Sequence, residues 1–512
     1  MCSFCRSTLL REGDALRRIG ISAELFDDHS PLQLGVSGQH QGLAFTLVGR
    51  LQYRYADGTW NEWHALFDGA AVGDAAPRSA WLSEDNGAYV LAFDAAPPLE
   101  LASAAAALQN LRPGGSLVAD GRTWSVASVQ RASLLAAQGE LPRAPRLAGE
   151  FTVVDLRNTQ GEVATLDDID AAAPGWSIGR SVALSTLLLK GLKDGPAEAT
   201  LAARSLACPS CGAALEVKLA STQSISCTQC HAVVDVAGVS GAGAGADLAF
   251  YAQNNSGTGG GAEPQIPLGR SGKLAFNGAP LPWQVVGYQE RCDLPDSADD
   301  ETTFWREYLL YNRTAGFTFL VDSNDGWSWV APLTGVPSLR GDSAQWQGSN
   351  YRKREAYAAK VTWVQGEFYW RVQREQKALV TDFEGQGGDA GKRLSREQNG
   401  QEITWSAGQS LTAAEVADAF SIAPDGRAAL QRDATPLSGH GGAWRIGLIV
   451  LVLIVLVLVV AQCSSGNACD STRNTFGAAS AEYQQCVRSS GSGARVGGGS
   501  FGGYSSGGGG HK

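Results

Sequence analysis

The sequence is poor in the residues that acid–base catalysis uses most. It holds six histidines and a single methionine in 512 residues, and the histidines are scattered. It has no G-x-x-x-x-G-K-[ST] phosphate-binding loop, and its GTGGGA run lies in a Gly-rich stretch instead of between a strand and a helix. We therefore expect no enzymatic activity.

Basic residues are also in short supply. The chain has 41 Lys and Arg against 51 Asp and Glu, which gives a net charge of −10. A general nucleic-acid binder needs a basic surface that releases phosphate counterions. We therefore expect no nucleic-acid partner. We also expect no secretory signal, because the first apolar pair, Leu9 and Leu10, is followed directly by Arg11 and Glu12.

One long segment lacks polar side chains altogether. Residues 446–461 read IGLIVLVLIVLVLVVA, with Trp444 and Arg445 just before them. At about 1.5 Å per residue this run spans roughly 24 Å, and the two flanking side chains extend the span. We predict one transmembrane helix over 444–463.

Charges on either side of this helix indicate its orientation. Arg427, Arg432 and Arg445 precede it, and only Arg473 follows within a similar distance. Because basic residues accumulate on the cytoplasmic side, we expect the bulk of the chain in the cytoplasm and the tail outside.

Two cysteines lie in that tail. In an oxidising compartment Cys469 and Cys486 are able to form a disulfide. Free thiols are the alternative, and the sequence leaves both open.

Four cysteines in the middle of the chain have the spacing of a metal site. Cys208, Cys211, Cys227 and Cys230 form C-x2-C-x15-C-x2-C, which is typical of a zinc ribbon with two tight turns around a closed tetrahedral site. Four thiolates leave no open position for a substrate, so we predict a structural Zn²⁺. His231 is then redundant as a ligand, and we expect its side chain to be exposed.

Another Cys-x-x-Cys pair, Cys2 and Cys5, opens the chain. It supplies half of a tetrahedral site, and no βαβ pattern follows that would favour a redox site. Since MCSFCRSTLLREGD resembles SISCTQCHAVVDVAG, we interpret it as the back half of a first ribbon. Met1 is the only methionine, so we expect the true initiation codon to lie upstream.

The chain repeats itself, which indicates two tandem units. Short motifs recur in the same order in both halves. The matched stretches are LG at 34–35 and 268–269, W-x-E-[WY] at 60–63 and 305–308, GRTWSV at 121–126 with EFYWRV at 367–372, and WSIGRS at 176–181 with WSAGQS at 405–410. The third match pairs Trp124 with Trp370.

Both units are rich in strand signals. AFTLVGRLQYRY at 44–55 carries β-branched and aromatic residues, and Gly, Asn and Asp clusters punctuate the chain. TWVQGEFYWRVQRE at 362–375 predicts a hairpin closed at Gln365 and Gly366, and LTAAEVADAF at 411–420 predicts a helix. We predict a mainly β fold: two tandem sandwich-like or barrel-like repeats with minor helices, a zinc ribbon between them and a C-terminal transmembrane helix.

The predicted boundaries follow the motifs and the changes in composition. They are an orphan half ribbon and connector at 1–30, repeat 1 at 31–192, the ribbon at 204–236, a Gly/Ser-rich linker at 237–264, repeat 2 at 265–420, a linker at 421–443, the membrane helix at 444–463 and a disordered Gly/Ser-rich tail at 464–512.

The tandem motifs with the intervening C-P-x-C-G and C-x-x-C resemble a bacterial family known as domain of unknown function 4178. The resemblance covers about 30–190 and 204–420, plus the Gly-rich tail. It implies a bacterial protein, encoded near polyamine-type aminopropyltransferase or decarboxylase homologues and membrane-stress proteins. The family has no established activity. Its members usually begin with a complete ribbon, and this chain departs from that pattern.

The recurring W-x-E-[WY] motif is the one candidate for a ligand site. Glu62 follows Trp60, and Glu307 follows Trp305. A carboxylate flanked by aromatic rings suits a cationic amine, whereas the structural interpretation is a carboxylate beside core aromatics. We favour the second.

Two functional hypotheses follow from these observations. The leading one is a membrane-anchored, non-enzymatic adaptor or scaffold that binds a protein partner through its cytoplasmic repeats. The alternative is a sensor that binds a polyamine-like cation at the acidic and aromatic sites.

Overall fold

The computed structural model describes residues 8–12, 15–20 and 30–432, and for 8–12, 15–20, 205, 235 and 249–254 it describes only the backbone. Inside the last range it leaves out residues 57, 69–77, 86, 99–100, 102–107, 144, 146–148, 172–173, 194–204, 218–221, 223, 237–248, 255–263, 277 and 296–300.

The first repeat forms a closed antiparallel barrel, which we call barrel 1. Its strands are β3 (Ser37–His40), β4 (Leu43–Arg54), β5 (Thr59–Phe67), β6 (Ser79–Asp85), β7 (Ala88–Ala95), β8 (Ser116–Ala119), β9 (Arg122–Gly139), β10 (Phe151–Arg157), β11 (Glu162–Asp167) and β12 (Gly175–Ser181). Eight of them close the ring in the order β4–β5–β6–β7–β12–β11–β10–β9–β4. The other two, β3 and β8, pair with β4 and β9.

The second repeat has the same design, which we call barrel 2. Its strands are β18 (Ser271–Leu274), β19 (Leu281–Leu294), β20 (Phe304–Asn312), β21 (Gly316–Ser323), β22 (Gly326–Leu333), β23 (Ser338–Arg340), β24 (Ser343–Trp346), β25 (Ser349–Phe368), β26 (Lys377–Gly385), β27 (Lys392–Asn399) and β28 (Glu402–Leu411). The ring runs β19–β20–β21–β22–β28–β27–β26–β25–β19. The mainly β prediction is confirmed, and both repeats are closed barrels.

Smaller sheets lie before and between the barrels. β1 (Thr8–Glu12) and β2 (Ala15–Gly20) form a hairpin, and so do β13 (Ser205–Ala207) and β14 (Ala214–Glu216). β15 (Ser224–Ser226), β16 (Ala232–Asp235) and β17 (Ala249–Asn254) form one sheet. β17 lies inside the stretch that the composition predicts as a linker. Antiparallel hairpins thus follow Cys5, at β1 and β2, and Cys230, at β16 and β17.

Helices are few and short. The helix Ala413–Ala419 begins with a capping box, in which Thr412 and Glu415 satisfy each other's backbone N–H groups. This is the helix predicted from LTAAEVADAF. Further helical elements with bounds inside the described residues are Pro424–Arg427 and the 3₁₀ turns Leu184–Leu187, Gly387–Asp389 and Ala428–Leu430.

The strand register defines which residues of the two barrels are equivalent. Gly49 pairs with His64 and Gly139, as Gly287 pairs with Leu309 and Gly366. Counting from these anchors, Trp60 corresponds to Trp305 and Glu62 to Glu307, as the motifs predict. Trp176 and Trp405 are also equivalent, each three residues before a Gly on the last strand.

The same register corrects one predicted match. Trp124 lies opposite Leu117, and Tyr351 lies opposite Ala344 on the equivalent strands. Trp124 therefore corresponds to Tyr351, and its match to Trp370 is wrong. The match relied on similar residues around one tryptophan in each repeat. Trp370 lies beyond the end of β25, whereas Trp124 lies within β9.

The hairpin predicted at 365–366 is also wrong, since β25 continues to Phe368. Gly366 has a φ of +83°, and a Cβ atom there would lie 2.4 Å from the Val286 carbonyl oxygen. The glycine therefore permits a close approach between β25 and β19 and does not close a turn.

Alternation along the strands gives each barrel an inner and an outer face. One end of the interior of barrel 2 is apolar, with the buried side chains of Leu309, Phe319 and Val330. Charged groups line much of the rest of that interior, and Arg291, Glu307, Asp382 and Glu397 are all buried there. The interior of this barrel is therefore the place where carboxylates and their partners meet.

Candidate metal centre and buried carboxylates

The four central cysteines converge on one point. Their sulfur atoms all lie within 4.8 Å of one another. The Sγ atoms of Cys208 and Cys230 are 3.8 Å apart, and those of Cys211 and Cys227 are 3.7 Å apart. Four sulfurs held about 2.3 Å from a central ion at the corners of a tetrahedron are about 3.8 Å apart. The cysteines therefore cluster within metal-binding distance, and each close pair joins one knuckle to the other.

Both knuckles have the same backbone geometry. Each is closed by two hydrogen bonds, from Cys208 N–H to Ala213 O and Gly212 N–H to Cys208 O in the first, and from Cys227 N–H to Ala232 O and His231 N–H to Cys227 O in the second. Gly212 and His231 occupy the same left-handed position, with φ of +75° and +58°. The His231 side chain is exposed, as expected, and its ring centroid lies 5.7 Å from that of Trp363.

The cysteine knuckles belong to a module, residues 205–236, that continues the wall of barrel 2. We call this module the ribbon. Its strand β15 pairs with the end of β25, Ser224 with Phe368 and Ile225 with Glu367. Strand addition of this kind satisfies backbone groups that the end of β25 would otherwise present to water.

Side chains strengthen this junction. Thr222 Oγ1 donates to Glu367 Oε2 at 2.7 Å, and both residues are buried. The hydroxyl of Ser226 accepts a hydrogen bond from Gly366 N–H at 3.0 Å. Val233 of the ribbon packs in the apolar cluster that includes Phe368 and Trp370. The ribbon is therefore attached to barrel 2 by hydrogen bonds and contributes Val233 to its apolar core.

The predicted ligand-binding carboxylates lie inside the barrels. The indole N–H of Trp305 donates to Glu307 Oε1 at 2.7 Å, and that of Trp60 donates to Glu62 Oε1 at 3.3 Å. In both copies the Trp and the Glu are buried side by side on one strand face. The motif thus encodes an indole–carboxylate pair that points into each barrel.

In barrel 2 this carboxylate takes part in an ionic network. Arg291 lies 3.4 Å from Glu307 Oε1 and makes two hydrogen bonds to Glu397. Gln289 donates to the second oxygen of Glu307 at 2.6 Å. Burial raises the pKa of Glu307, and the charge of Arg291 acts against that rise. Burial would lower the pKa of Arg291, but Glu397 and Glu307 raise it overall.

Barrel 1 replaces the arginine by a phenol. Tyr53 occupies the position of Arg291, because it lies opposite Trp60 as Arg291 lies opposite Trp305. Burial, and then the charges of Glu62 and Asp167, raise the pKa of Tyr53 well above its usual range. Both barrel interiors therefore contain the W-x-E carboxylate, Glu62 or Glu307. The group beside it differs, since it is the phenol of Tyr53 in barrel 1 and the guanidinium of Arg291 in barrel 2.

A second buried acid recurs in both barrels and was missed from the sequence. Asp155 and Asp382 occupy equivalent positions, and both are fully buried. Ser128 and Thr165 donate to Asp155 at 2.9 and 3.1 Å, whereas Tyr357 donates to Asp382 at 2.8 Å. The only sequence signal is a V-x-D in TVVDLR and LVTDFE, at the same place in each repeat.

Barrel 2 adds a further carboxylate beside Asp382. Glu355 is its register partner on β25, where barrel 1 has Ser128. Burial, and then the charge of Asp382, raise the pKa of Glu355 to about 7. On the other side of Asp382 lies Ser395, a buried residue of β27.

Several predicted features lie outside the described residues. They are Cys2 and Cys5, Cys469 and Cys486, the segment 444–463 and the tail. Within the described part of the chain, no helix has the length and apolar character needed to cross a membrane.

Comparison with known proteins gives one match. The model of the family described as domain of unknown function (DUF4178) matches residues 33–184 and 280–413, which is more than half of the chain and corresponds to the two barrels. No curated protein and no solved structure matches significantly.

Proposed function

The chain belongs to the DUF4178 family, and on that premise we propose that it is a membrane-anchored, non-enzymatic adaptor or scaffold that binds a protein partner. The observation that carries this proposal is that the central charged groups inside barrel 2, Arg291, Glu307 and Glu397, are engaged with one another. Glu307, the best ligand candidate, is bonded to Trp305 and Gln289. The outer surfaces of the barrels are then the places for a partner.

The ribbon has a structural part in this proposal. We take its ion to be Zn²⁺, because four thiolates at tetrahedral spacing suit this metal. With four sulfurs bound, the ion has no vacant position for chemistry. Its contribution is to hold the knuckles together so that β15 stays paired with the end of β25.

The membrane anchor is proposed from the apolar run at 446–461. The arginines before it favour a cytoplasmic location for the barrels at the bacterial inner membrane, with the tail on the other side. In that tail Cys469 and Cys486 would meet an oxidising compartment and could pair.

The adaptor proposal is tested on the full chain in its own membranes. Wild type and Cys227→Ser carry the same affinity tag, are crosslinked in membranes, and are purified for mass spectrometry and zinc analysis. We expect one zinc per wild-type chain and a reproducible stoichiometric partner, with zinc lost in the variant. A wild-type sample that contains zinc but repeatedly yields no stoichiometric partner would refute the adaptor function.

A second candidate is a sensor of a polyamine-like cation. The observation in its favour is that the interior of barrel 2 places two buried carboxylates, Glu307 and Glu397, against the single positive charge of Arg291. Thermal unfolding with spermidine and with a neutral amide control tests it. We expect a stabilisation that Glu307→Gln and Glu62→Gln weaken, and the absence of any shift at millimolar spermidine in the wild type would exclude the sensor.

A further inference from the structure

An apolar strip crosses the outer face of barrel 2. It consists of Phe304 on β20, Leu294 on β19, Ala358 on β25 and Leu379 on β26. Phe304 and Leu379 are 59% and 58% exposed, and Leu294 and Ala358 are half-buried between them. The strand register makes the strip continuous, since Leu294 pairs with Ala358, which pairs with Leu379, and Phe304 pairs with Cys292 beside Leu294.

Strand alternation establishes that these side chains point outward. Phe304 precedes Trp305, and Leu379 precedes Val380, whose side chains are buried in the barrel core. Ala358 follows Tyr357, whose hydroxyl reaches Asp382 in the interior. The strip is therefore a solvent-facing surface of the sheet.

Barrel 1 shows that the fold does not require this strip. At the positions of Phe304, Ala358 and Leu379 it has Thr59, Arg131 and Thr152. Two of these residues interact with other side chains of barrel 1. Arg131 forms an ion pair with Glu150 at 3.0 Å, and Thr152 donates a hydrogen bond to Asp170 at 3.1 Å. Three of the four positions are therefore polar in one copy and apolar in the other. Burial of such a surface against a partner would stabilise a complex in proportion to the apolar area covered.

The charges around the strip are uneven. On the β26–β27 side, Lys377 is exposed and has no ion-pair partner among the described residues. Arg396 donates to Gln398 at 3.4 Å and likewise lacks a carboxylate partner in the described part of the chain. Near Phe304 the exposed residue is instead an acid, Glu301. A complementary partner carries its acidic groups on the side of Lys377 and Arg396.

The length of the strip matches a short helix. Three inter-strand spacings and two residues along a strand separate Phe304 from Leu379, which is about 16 Å. Three turns of an α-helix cover about the same distance.

We propose that this strip binds an amphipathic helix of a partner protein, about three turns long, with acidic residues beside Lys377 and Arg396. The inference rests on the proposed adaptor function and names the surface that performs it. A helix with its apolar face in such a surface is a common mode of peptide recognition.

The direct test uses a designed, fluorescently labelled amphipathic helical peptide with a Leu face and Glu flanks, and a counterpart with Lys flanks. The receptor is the detergent-solubilised full chain. We expect the acidic peptide to bind wild type more tightly, and Phe304→Thr with Leu379→Thr, which introduces the barrel 1 residues at these two positions, to weaken it at least tenfold. Lys377→Glu should weaken it as well, whereas Glu301→Lys should not.

A matched control is Leu339→Thr, because Leu339 is 50% exposed but lies on β23, away from the strip. Equal loss of binding with this control, or equal binding of both peptides, would overturn the proposal. Photocrosslinking from position 379 in membranes adds a second readout, and capture of a second copy of this chain would also overturn it. If a stoichiometric partner is recovered equally with wild type and with the Phe304→Thr, Leu379→Thr double variant, the strip is not the binding surface. The proposed adaptor function would still stand in that case.

Discussion

The Arg291 guanidinium and the Glu397 carboxylate are joined by two hydrogen bonds of 3.0 and 3.1 Å across the interior of barrel 2. Their strands, β19 and β27, are not neighbours, because β25 and β26 lie between them in the wall. Both side chains are at most 2% exposed. This bidentate pair therefore connects separated parts of the barrel from within.

We expect Arg291→Met to destabilise the protein strongly. The substitution leaves Glu307 and Glu397 buried without their cation, which typically costs about 3–5 kcal/mol of unfolding free energy. Urea unfolding followed by tryptophan fluorescence measures the loss. Arg427→Met is the control, since its pair with Asp418 is exposed and exposed pairs contribute about 1 kcal/mol or less. Similar losses in both variants would contradict the role assigned to Arg291.

Gly408 is a position where any side chain should be harmful. A Cβ atom there would lie 1.7 Å from the Trp329 carbonyl oxygen, on the neighbouring strand β22. Gly408→Ala must push β22 and β28 apart, and we expect a cost of roughly 1–3 kcal/mol or more. Gly388→Ala serves as the control, because a Cβ at Gly388 meets no atom within 4 Å. Equal thermal midpoints for the two variants would refute this reading of the barrel closure.

Removal of the metal should loosen barrel 2 at one place. Strand β15 and Thr222 of the ribbon contact the end of β25. Because these contacts depend on the folded ribbon, chelation of the metal or Cys227→Ser should speed amide hydrogen exchange over residues 366–372. Residues 139–141 of barrel 1, which are equivalent to 366–368, are the internal reference and should not change. If the two stretches respond alike, the ribbon does not act locally on barrel 2.

The ribbon junction can also be tested without touching the cysteines. Thr222→Val keeps the shape of the side chain and removes the hydroxyl that donates to Glu367 Oε2. We expect a loss of about 1–3 kcal/mol. Zinc content should stay at the wild-type level, which separates the docking contact from the metal site. A variant that loses its zinc would show that Thr222 supports the knuckles themselves.

Glu355 predicts a pH dependence of stability. Its pKa is about 7 in the folded protein against an ordinary 4.5, so the folded state holds more protons than the unfolded chain between these values. Stability therefore falls as the pH rises through this window and changes no further above it. The charged groups around Glu355 are Asp382, Arg354, Asp325 and Asp293.

Glu355→Gln removes this contribution. The difference in unfolding free energy between Glu355→Gln and wild type should therefore grow in favour of the variant from pH 5 to pH 7.5, as measured by urea unfolding at both values. Parallel pH profiles of the two proteins would show that Glu355 does not carry the effect.

The sequence motifs whose predicted geometry the structure reproduces are those that depend only on residues close together in the chain. The Cys-x-x-Cys spacing predicts a knuckle because four residues set its geometry, and all four sulfurs do converge. The capping box at Thr412 depends only on the first turn of its helix. The W-x-E motif predicts adjacent side chains on one strand face, and this also holds in both copies.

The tandem repeat, the β-rich class and the cysteine cluster were thus determined by the sequence itself, through spacing and alternation along the chain. The closure of each barrel, the approach of Gly366 to β19 and the meeting of Arg291 with Glu397 were decided only in three dimensions. The physical reason is distance along the chain. More than a hundred residues separate Arg291 from Glu397. The sequence of neither strand indicates that these two side chains meet, because only closure of the barrel brings them together.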